Sequence, residues 1–295
     1  HDLLLAETNE IMVAGGMESM TNTPYILQKA RSGQRLGHGQ MTDHMFLDGL
    51  EDAFDKGTLM GVFAERTAKK YGFSREAQDE FAIRSLTRAK KAIEDGSFKN
   101  EVTPVSYKNR KEETLVELDE QPLTANIDKI PNLRPAFEKD GTVTAANSSS
   151  ISDGAAALVM MRESTAKKSG FKPIARFLGH SSFAQAPEWF TTAPVGAIKG
   201  VLKTVDWNVD DVELFEINEA FAVVTMAAMN DLDLPAEKVN VHGGACALGH
   251  PVGASGTRIL VTLISALQKY GKTRGVASLC IGGGEATAMA VEVLS

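Results

Sequence analysis

The sequence predicts a layered α/β fold, because segments with strand character alternate with segments with helix character along its second half. An apolar strand pattern follows Pro173, a helical pattern covers residues 197 to 205, and a strand pattern covers residues 212 to 217. Another helical pattern runs from residue 220 to residue 232. Alternation of this kind is typical of a sheet that is covered by helices.

A second observation, a weak internal repeat, also favours this fold class. Residues 10 to 16 read Glu-Ile-Met-Val-Ala-Gly-Gly, with Glu18 close behind, and predict a short buried strand that enters a tight glycine turn. Residues 276 to 285 repeat the pattern as Val-Ala-Ser-Leu-Cys-Ile-Gly-Gly-Gly-Glu. The repeat suggests two similar halves, each with a strand that ends at a glycine turn facing a site.

The long polar stretch from Pro24 to Lys139 has the character of an inserted region with a solvated surface. It contains a helical pattern over residues 61 to 94, in which Ser74 is a plausible N-cap. Core character returns at Gly141. There the sequence predicts a strand over residues 142 to 146, a polar turn over 147 to 150, and a small-residue helix that opens at Asp153.

Composition argues against several classes of protein. A formal net charge of −7 over 295 residues, with dispersed basic pairs, argues against a nucleic-acid partner. No apolar run reaches the roughly 18 residues of a membrane span. The two cysteines, Cys246 and Cys280, fit a reducing compartment, so we expect a cytoplasmic protein. The chain opens with His1 and reads as if it began inside a helix, so we expect an N-terminal truncation.

The densest chemical signal lies between Asn240 and Gly256, where 17 residues contain five glycines, two histidines and a cysteine. An amphipathic helix follows, so His250 is expected on a loop before a helix N-terminus, which favours developing negative charge. His242, Cys246 and His250 are spaced four apart and could in a helix ligate a metal. The intervening glycines and Pro251 argue against such a helix, and we expect no metal. Cys246 is then a small buried apolar residue.

Two further segments carry chemistry. Cys280 ends a predicted strand and precedes three glycines, an arrangement that suits an acid/base thiol beside an oxyanion site. An inert buried cysteine is the alternative interpretation. At a predicted junction of strand and helix, Asn218-Glu-Ala-Phe-Ala offers an amide that can orient water or a carbonyl, and a phenylalanine that can line a pocket.

Together these segments resemble the three C-terminal signatures of the thiolase family, in the family's order. They are Asn218-Glu-Ala-Phe-Ala, Gly243-Gly-Ala-Cys-Ala-Leu-Gly-His-Pro-Val-Gly-Ala-Ser-Gly and Cys280-Ile-Gly-Gly-Gly. Segments that begin at Val13, Arg134 and Gly141 also look like thiolase segments, so the resemblance spans nearly the whole chain.

The resemblance implies a layered αβαβα fold of two similar halves, the first incomplete, with an inserted loop domain that covers coenzyme A. The implied parts are a remnant of the first half at 1–23, the loop domain at 24–140, the end of the first half at 141–170, and the second half at 171–295. It also implies a homo-oligomer, a dimer or a tetramer, with tetramer contacts from the loop near Gln28 to Gly39.

The resemblance further implies the reaction, which is reversible condensation of two acetyl-CoA molecules to acetoacetyl-CoA and coenzyme A through an acyl-cysteine. His250 would activate the nucleophilic thiol and, with a water on Asn218, hold a thioester oxyanion. Cys280 would move the proton at the α-carbon, and Gly282 would offer its amide to the other oxyanion. Coenzyme A thioesters are substrates, and no other cofactor is implied. The positions that match the coenzyme A tunnel are Leu50, Met60, Phe137, Ala145, Ser149 and Phe221.

The chain departs from the family at one point, because neither Cys246 nor Cys280 matches the position of the acylated cysteine, which in the family lies upstream of this segment. Two alternatives therefore accompany the acetyl-CoA C-acetyltransferase prediction. One is a 3-ketoacyl-CoA thiolase of fatty-acid degradation, which takes longer chains. How far the bulky residues Met60, Trp189 and Phe190 restrict the acyl pocket distinguishes it from the short-chain enzyme, which we favour. The other is a non-catalytic module, derived from a thiolase, that binds acyl-CoA or dimerises.

Overall fold

Ten strands and nine α-helices are described in this computed structural model, which covers residues 1–108 and 112–294. Residues 109–111 of the inserted region, and Ser295, lie outside the described residues. The strands are β1 (Ile11–Ser19), β2 (Tyr25–Leu27), β3 (Met41–Asp43), β4 (Val105–Lys108), β5 (Glu113–Val116), β6 (Asp153–Met161), β7 (Ala175–Ala184), β8 (Leu214–Ile217), β9 (Arg274–Ile281) and β10 (Glu285–Val293). The helices are α1 (Asp2–Leu5), α2 (Met60–Tyr71), α3 (Arg75–Glu94), α4 (Glu120–Thr124), α5 (Glu163–Ser169), α6 (Ala193–Val205), α7 (Ala222–Asp231), α8 (Ala245–Leu248) and α9 (Ser255–Lys269).

Two sheets enclose α9. One sheet pairs β1 with β6 in antiparallel register, from Ile11 opposite Met161 to Ser19 opposite Asp153. The other has the order β7-β10-β9-β8, in which β8 and β9 are parallel and the other neighbours are antiparallel. Helix α9 contacts both sheets, and α6 covers the opposite face of the larger one. The predicted layered α/β fold is therefore confirmed.

The sequence of α9 explains its central place. Its apolar side chains occupy more than one face, and those of Ile259, Leu263 and Leu267 are fully buried. They pack against Leu214 of β8 and Ala277 of β9, and Leu158 of β6 joins the same cluster. None of the described helices combines the length and apolar character that a membrane crossing requires.

The predicted helical region at 61–94 forms two helices rather than one. Helix α2 ends at Gly72, whose φ of +68° is a left-handed conformation that glycine adopts without strain. Helix α3 then begins after Ser74, whose hydroxyl accepts a hydrogen bond from the Ala77 amide at 3.2 Å. The predicted N-cap is confirmed. Helix α3 also contacts α4, α7 and α8, so this part of the inserted region packs against the second half of the chain.

Other predictions for the second half are confirmed. The strand after Pro173 is β7, and the helix at 197–205 is the C-terminal part of α6. The strand at 212–217 is β8, and the helix at 220–232 is α7. Each element lies within a few residues of its predicted bounds, because strand and helix patterns here alternate without interruption.

The predicted strand at 142–146 is wrong, because its polar groups hydrogen-bond locally instead of joining a sheet. Asn147 Oδ1 accepts from the Thr144 amide at 2.7 Å, and Asn147 Nδ2 donates to the Thr142 carbonyl at 3.1 Å. The helix predicted to open at Asp153 is also wrong, since that segment is β6. Its nine-residue pairing with β1 and its alternating exposure outweigh the strong helix preference of its alanines.

The tight turn predicted at Gly15 and Gly16 is likewise wrong, since both glycines lie inside β1. These two glycines allow the backbones of neighbouring segments to approach β1 closely. A Cβ atom on Gly16 would lie 1.8 Å from the Gly253 carbonyl oxygen, so the loop before α9 rests directly on the β1 backbone. The contact joins the two halves of the chain at the loop that carries His250.

We expect Gly16→Ala to lower the free energy of unfolding by about 1 to 3 kcal/mol, because the added methyl meets a backbone atom rather than a flexible side chain. Gly49→Ala is the matched control, since a Cβ atom there meets nothing within 4 Å. Urea unfolding followed by circular dichroism measures both. Equal midpoints for the two variants would contradict the close approach.

The ring of His242 packs between Phe98 and Tyr270, with centroid distances of 5.7 and 5.6 Å. Burial, and then the charge of Lys269, lower the pKa of His242 from 6.5 to about 4. As the pH falls from about 6.5 towards 4, the imidazole of His242 therefore gains a proton in the unfolded chain but stays neutral in the folded chain. The histidine destabilises the fold by about 2 kcal/mol at pH 5 relative to pH 7.

We expect His242→Leu to remove this part of the pH dependence, as measured by urea unfolding at pH 7 and pH 5. His38→Leu, at an exposed position, is the control and should leave the pH dependence as it is in the wild-type chain. The same loss of stability at pH 5 in the wild-type and His242→Leu chains would show that His242 does not titrate in this way.

Candidate active site

The site begins where two parallel strands end side by side. Ile217 of β8 lies opposite Ser278 of β9, and the Asn218 amide donates to the Ser278 carbonyl at 2.9 Å. Because the carboxyl ends of parallel neighbours lie at the same edge of a sheet, Asn218 and Cys280 emerge at one edge. The Asn218 side chain is almost fully buried, and its Oδ1 atom has no hydrogen-bond partner among the residues that the structure describes.

His250 reaches this edge from the loop between α8 and α9. Gly249 has a φ of +88°, a conformation that reverses the chain after α8 and that other residues rarely adopt. The Nε2 atom of His250 then lies 3.3 Å from Asn218 Nδ2, and its Nδ1 atom lies 2.6 Å from the hydroxyl of Ser255. The structure thus brings two of the predicted catalytic residues into direct contact.

The environment of His250 favours its neutral form. Burial lowers the pKa of its imidazole from 6.5 to about 4, and the charge of Arg258 on α9 acts in the same direction. At neutral pH the ring therefore carries one proton and one free lone pair. A neutral imidazole can accept a proton from a thiol and then offer the new N–H to an oxyanion.

Cys280, near the end of β9, is buried in an apolar cluster with Phe63, Phe190 and Phe221. Burial raises the pKa of its thiol from 9.0 to about 12, so the sulfur carries its proton at neutral pH. In this form it is a proton donor. Gly282 follows two residues later, and a Cβ atom there would lie 2.9 Å from Met60 Sδ, so the start of α2 lies over this glycine loop.

Three of the six residues predicted to line the coenzyme A tunnel adjoin the cluster around Cys280. They are Met60, Phe137 and Phe221, and the last two rings meet edge to face with centroids 5.9 Å apart. Ser149 lies beside them, since its hydroxyl donates to the Ala220 carbonyl at 2.9 Å.

The remaining two predicted tunnel residues, Leu50 and Ala145, are not among the residues of this cluster. Leu50 ends a short helical segment, Phe46–Leu50, and is half-buried, whereas Ala145 is exposed.

The side chain of Cys246 is part of the buried core. Its side chain packs against Phe81 and Ala222, and burial, together with the nearby Glu219 carboxylate, raises the pKa of its thiol well above 9.0. Its sulfur lies 3.9 Å from the Glu219 carbonyl oxygen. These contacts fit the interpretation of Cys246 as a small buried residue.

Although His242, Cys246 and His250 are spaced four residues apart, their side chains have separate surroundings and do not form a metal-binding group. Cys246 lies in α8, while His242 packs on aromatic rings and His250 contacts Asn218 and Ser255. In the described part of the chain, only one trio of histidine, cysteine and acidic side chains is close enough to share an ion. It consists of His1, Asp2 and His180, far along the chain from the histidine loop.

Two residues of the site escaped the sequence analysis. Glu219 lies within the Asn-Glu-Ala-Phe segment, but its carboxylate has partners far away in sequence, at Ser85, Asn240 and Cys246. Ser255 lies five residues after His250 at the first position of a helix. A histidine followed by a glycine-rich loop and a serine at a helix start is a signal that could have indicated the second contact.

Comparison with known proteins identifies the family of this chain. The family model described as thiolase, N-terminal domain, matches residues 2–164, and the model described as thiolase, C-terminal domain, matches residues 171–293. The acetyl-CoA acetyltransferase of Thiocystis violacea is 48% identical over 97% of this chain and 73% of its own length. Acetyl-CoA acetyltransferase IA of Candida tropicalis is 47% identical over 98% of this chain and 72% of its own.

Solved structures give the same result. The crystal structure of the Bacillus anthracis acetyl-CoA acetyltransferase has a TM-score of 0.95 at 43% identity and covers 99% of this chain and 74% of its own. Acat5 thiolase from Ascaris suum, solved in complex with coenzyme A, has a TM-score of 0.92 at 41% identity over the same shares of the two chains. With both family models matched over most of its length, the chain belongs to the thiolase family.

Proposed function

We propose that this chain carries the acid/base and oxyanion-binding groups of an acetyl-CoA C-acetyltransferase, which condenses two acetyl-CoA molecules to acetoacetyl-CoA and coenzyme A and catalyses the reverse thiolysis. The observation that carries the proposal is the 3.3 Å contact between Asn218 Nδ2 and His250 Nε2. This contact lies at the sheet edge where β9, the strand that contains Cys280, also ends. The names of the two curated relatives and of the Bacillus anthracis structure support acetyl-CoA as substrate.

In thiolysis, a cysteine thiolate attacks the 3-keto carbon of acetoacetyl-CoA, and the bond between C2 and C3 breaks. His250 accepts the proton of the attacking thiol at Nε2 and, with Asn218, stabilises the oxyanion that forms. Cys280 donates its proton to C2 of the leaving enolate, which completes one acetyl-CoA. Coenzyme A then takes the acetyl group from the cysteine. The proton of its thiol passes to Cys280, and the proton held by His250 returns to the released cysteine sulfur. The protonated resting state of Cys280 suits it to this direction.

The attacking cysteine belongs to a segment outside these 295 residues, because the surroundings of the two cysteines present suit other roles. Cys246 packs in the core beside Glu219, and Cys280 has the position of the acid/base thiol. The proposal extends to a homo-oligomer, a dimer or tetramer, in the cytoplasm. The two cysteines are free and buried, which supports a reducing compartment.

We expect acetoacetyl-CoA thiolysis by a version of the chain extended upstream with the thiolase segment that bears the nucleophilic cysteine, and none by the 295-residue chain alone. The loss of the ultraviolet absorbance of the acetoacetyl-CoA enolate after addition of coenzyme A measures both. Activity in the short chain would mean that Cys246 or Cys280 is the nucleophile and that the roles above are wrong. Coenzyme A binding without turnover in the extended version would favour a non-catalytic binding module.

In the extended version, we expect Cys280→Ala and His250→Gln each to lower kcat by about 10² to 10⁴, because each removes a group that moves a proton. Asn218→Ala should lower kcat by about 10² to 10³ through the oxyanion. Cys246→Ala is the matched control for a buried cysteine, and Asn230→Ala is the control at an exposed asparagine. A loss in Cys246→Ala equal to that in Cys280→Ala would reverse the assignment of the two thiols.

Bulky side chains near Cys280 support a short acyl chain. Phe190 is buried and meets Phe63 edge to face at 6.1 Å, and Trp189 is covered by Lys70, whose Nζ lies 4.1 Å from the ring centroid. Met60 lies over Gly282. These bulky side chains are the basis for proposing a substrate whose acyl chain is short.

We expect kcat/KM for acetoacetyl-CoA to exceed that for 3-ketooctanoyl-CoA by about tenfold or more, since each methylene that meets a filled pocket costs about 1 to 3 kcal/mol. Steady-state thiolysis of the two substrates by the extended version measures the ratio. A ratio near or below one would favour the 3-ketoacyl-CoA thiolase of longer chains.

A further inference from the structure

Three side chains of the kinds that bind metal ions meet between α1 and the edge strand of the larger sheet. They are His1 and Asp2 at the start of α1, and His180 in β7. One ligand atom from each side chain lies within 4.8 Å of the other two. Asp2 and His180 are 178 residues apart, so the sequence alone does not show that they meet.

The carboxylate of Asp2 lies between the two imidazoles. Its Oδ1 atom is 2.9 Å from His1 Nδ1 and 2.9 Å from His180 Nε2, and its Oδ2 atom is 3.0 Å from the same nitrogen of His180. The two rings meet edge to face, with centroids 5.6 Å apart and planes at 80°. Each imidazole therefore directs one nitrogen at a single carboxylate.

The backbone holds both histidines in this arrangement. A Cβ atom on Gly179 would lie 3.0 Å from Val205 in α6, so the next residue of β7, His180, faces the other side of the sheet. The carbonyl of His1 accepts two amides from the first turn of α1, both at 3.0 Å. The Asp2 side chain is 71% exposed, which leaves room for water beside the carboxylate.

Two imidazoles and one carboxylate are a ligand set that suits Zn²⁺. Ligand atoms bound to a tetrahedral zinc ion lie about 3.4 Å from one another, because each is about 2.0 to 2.2 Å from the metal. Each nitrogen would have to move only about 0.5 Å away from the carboxylate oxygen to reach that separation. Hydrogen bonds between exposed charged or polar groups contribute little, because water competes for them, so a divalent ion is the stronger partner for all three side chains.

We propose that His1, Asp2 and His180 bind one Zn²⁺ ion, with water in the remaining coordination position. The ion joins α1, which precedes β1, to β7 of the larger sheet, and it stabilises the contact between these two segments. The proposal does not rest on the function proposed above, because none of the three residues belongs to the site around His250.

Calorimetric titration of the 295-residue chain with ZnCl₂ at pH 7 tests the site. We expect the wild-type chain to bind one Zn²⁺ ion. His180→Ala, Asp2→Ala and His1→Ala should each raise the Kd by at least about tenfold, because each removes one of three ligands. The His1→Ala chain keeps its terminal amino group. Unchanged binding by that variant would assign the ion to the amino group and overturn the proposal.

His44→Ala is the matched control. His44 Nε2 lies 3.7 Å from Asp48 Oδ2, and the two side chains are 40% and 79% exposed, against 38% and 71% for His180 and Asp2. In the described part of the chain this pair has no third ligand. The substitution should leave the Kd for Zn²⁺ unchanged, and a loss equal to that in His180→Ala would contradict the assignment.

Thermal unfolding is the second measurement. We expect ZnCl₂ at about 100 times its Kd to raise the Tm of the wild-type chain by about 3 to 5 °C, because the ion binds the folded state. MgCl₂, whose ion prefers oxygen ligands, should not raise it, and ZnCl₂ should not raise the Tm of His180→Ala. Absence of saturable Zn²⁺ binding by the wild-type chain would overturn the proposal, whatever the variants do. Binding without a rise in Tm would contradict the stabilising contact between α1 and β7.

Discussion

The buried carboxylate of Glu219 joins three parts of the chain that meet behind the site. It accepts hydrogen bonds from the Ser85 hydroxyl at 2.7 Å, the Asn240 side chain at 2.8 Å and the Cys246 amide at 3.0 Å. Bonds to a buried charge are stronger than neutral ones, and a lost partner leaves that charge uncompensated. The helix of the inserted region, the histidine loop and the end of β8 therefore hold one another in place. The contact between Asn218 and His250 depends on that arrangement.

The second constraint is the backbone contact between the two halves. The loop that follows His250 rests on β1 at Gly16 and on β6 at Gly154, where a Cβ atom would lie 2.8 Å from the Pro251 ring. No side chain fits between these surfaces. The loop is thus enclosed between the Glu219 carboxylate on one side and the first sheet on the other. His250 can then present a fixed Nε2 although it lies outside any helix or strand, which is the preorganisation that oxyanion stabilisation requires.

Local pattern predicted the second half of the fold and drew attention to Asn218, His250 and Cys280, because the elements and the motifs each occupy short stretches of sequence. Strands and helices alternate there, and the histidine and cysteine motifs each occupy fewer than 20 residues. The errors arose where distant partners decide. Gly15 and Gly16 resemble a turn, but a Cβ atom on Gly16 would meet the backbone of Gly253, more than 200 residues away, and one on Gly15 would meet that of Ala156 in β6. The alanines of β6 resemble a helix until their pairing with β1 is known. Glu219 and Ser255 were missed for the same reason.

Burial acts in opposite directions on the pKa values of His250 and Cys280, the two groups proposed to move protons, and leaves both of them uncharged at neutral pH. It lowers the pKa of His250 to about 4 and raises that of Cys280 to about 12, so both are neutral at pH 7. A thioester can then enter without displacing a counterion. Charge develops only as the carbon–carbon bond breaks or forms, and the Asn218 amide and the imidazole are already in place when it does. Arg258 adds a fixed positive charge near His250 that disfavours a resting imidazolium. Burial and the charge of Arg258 thus both favour the neutral imidazole that the proposed role of His250 requires.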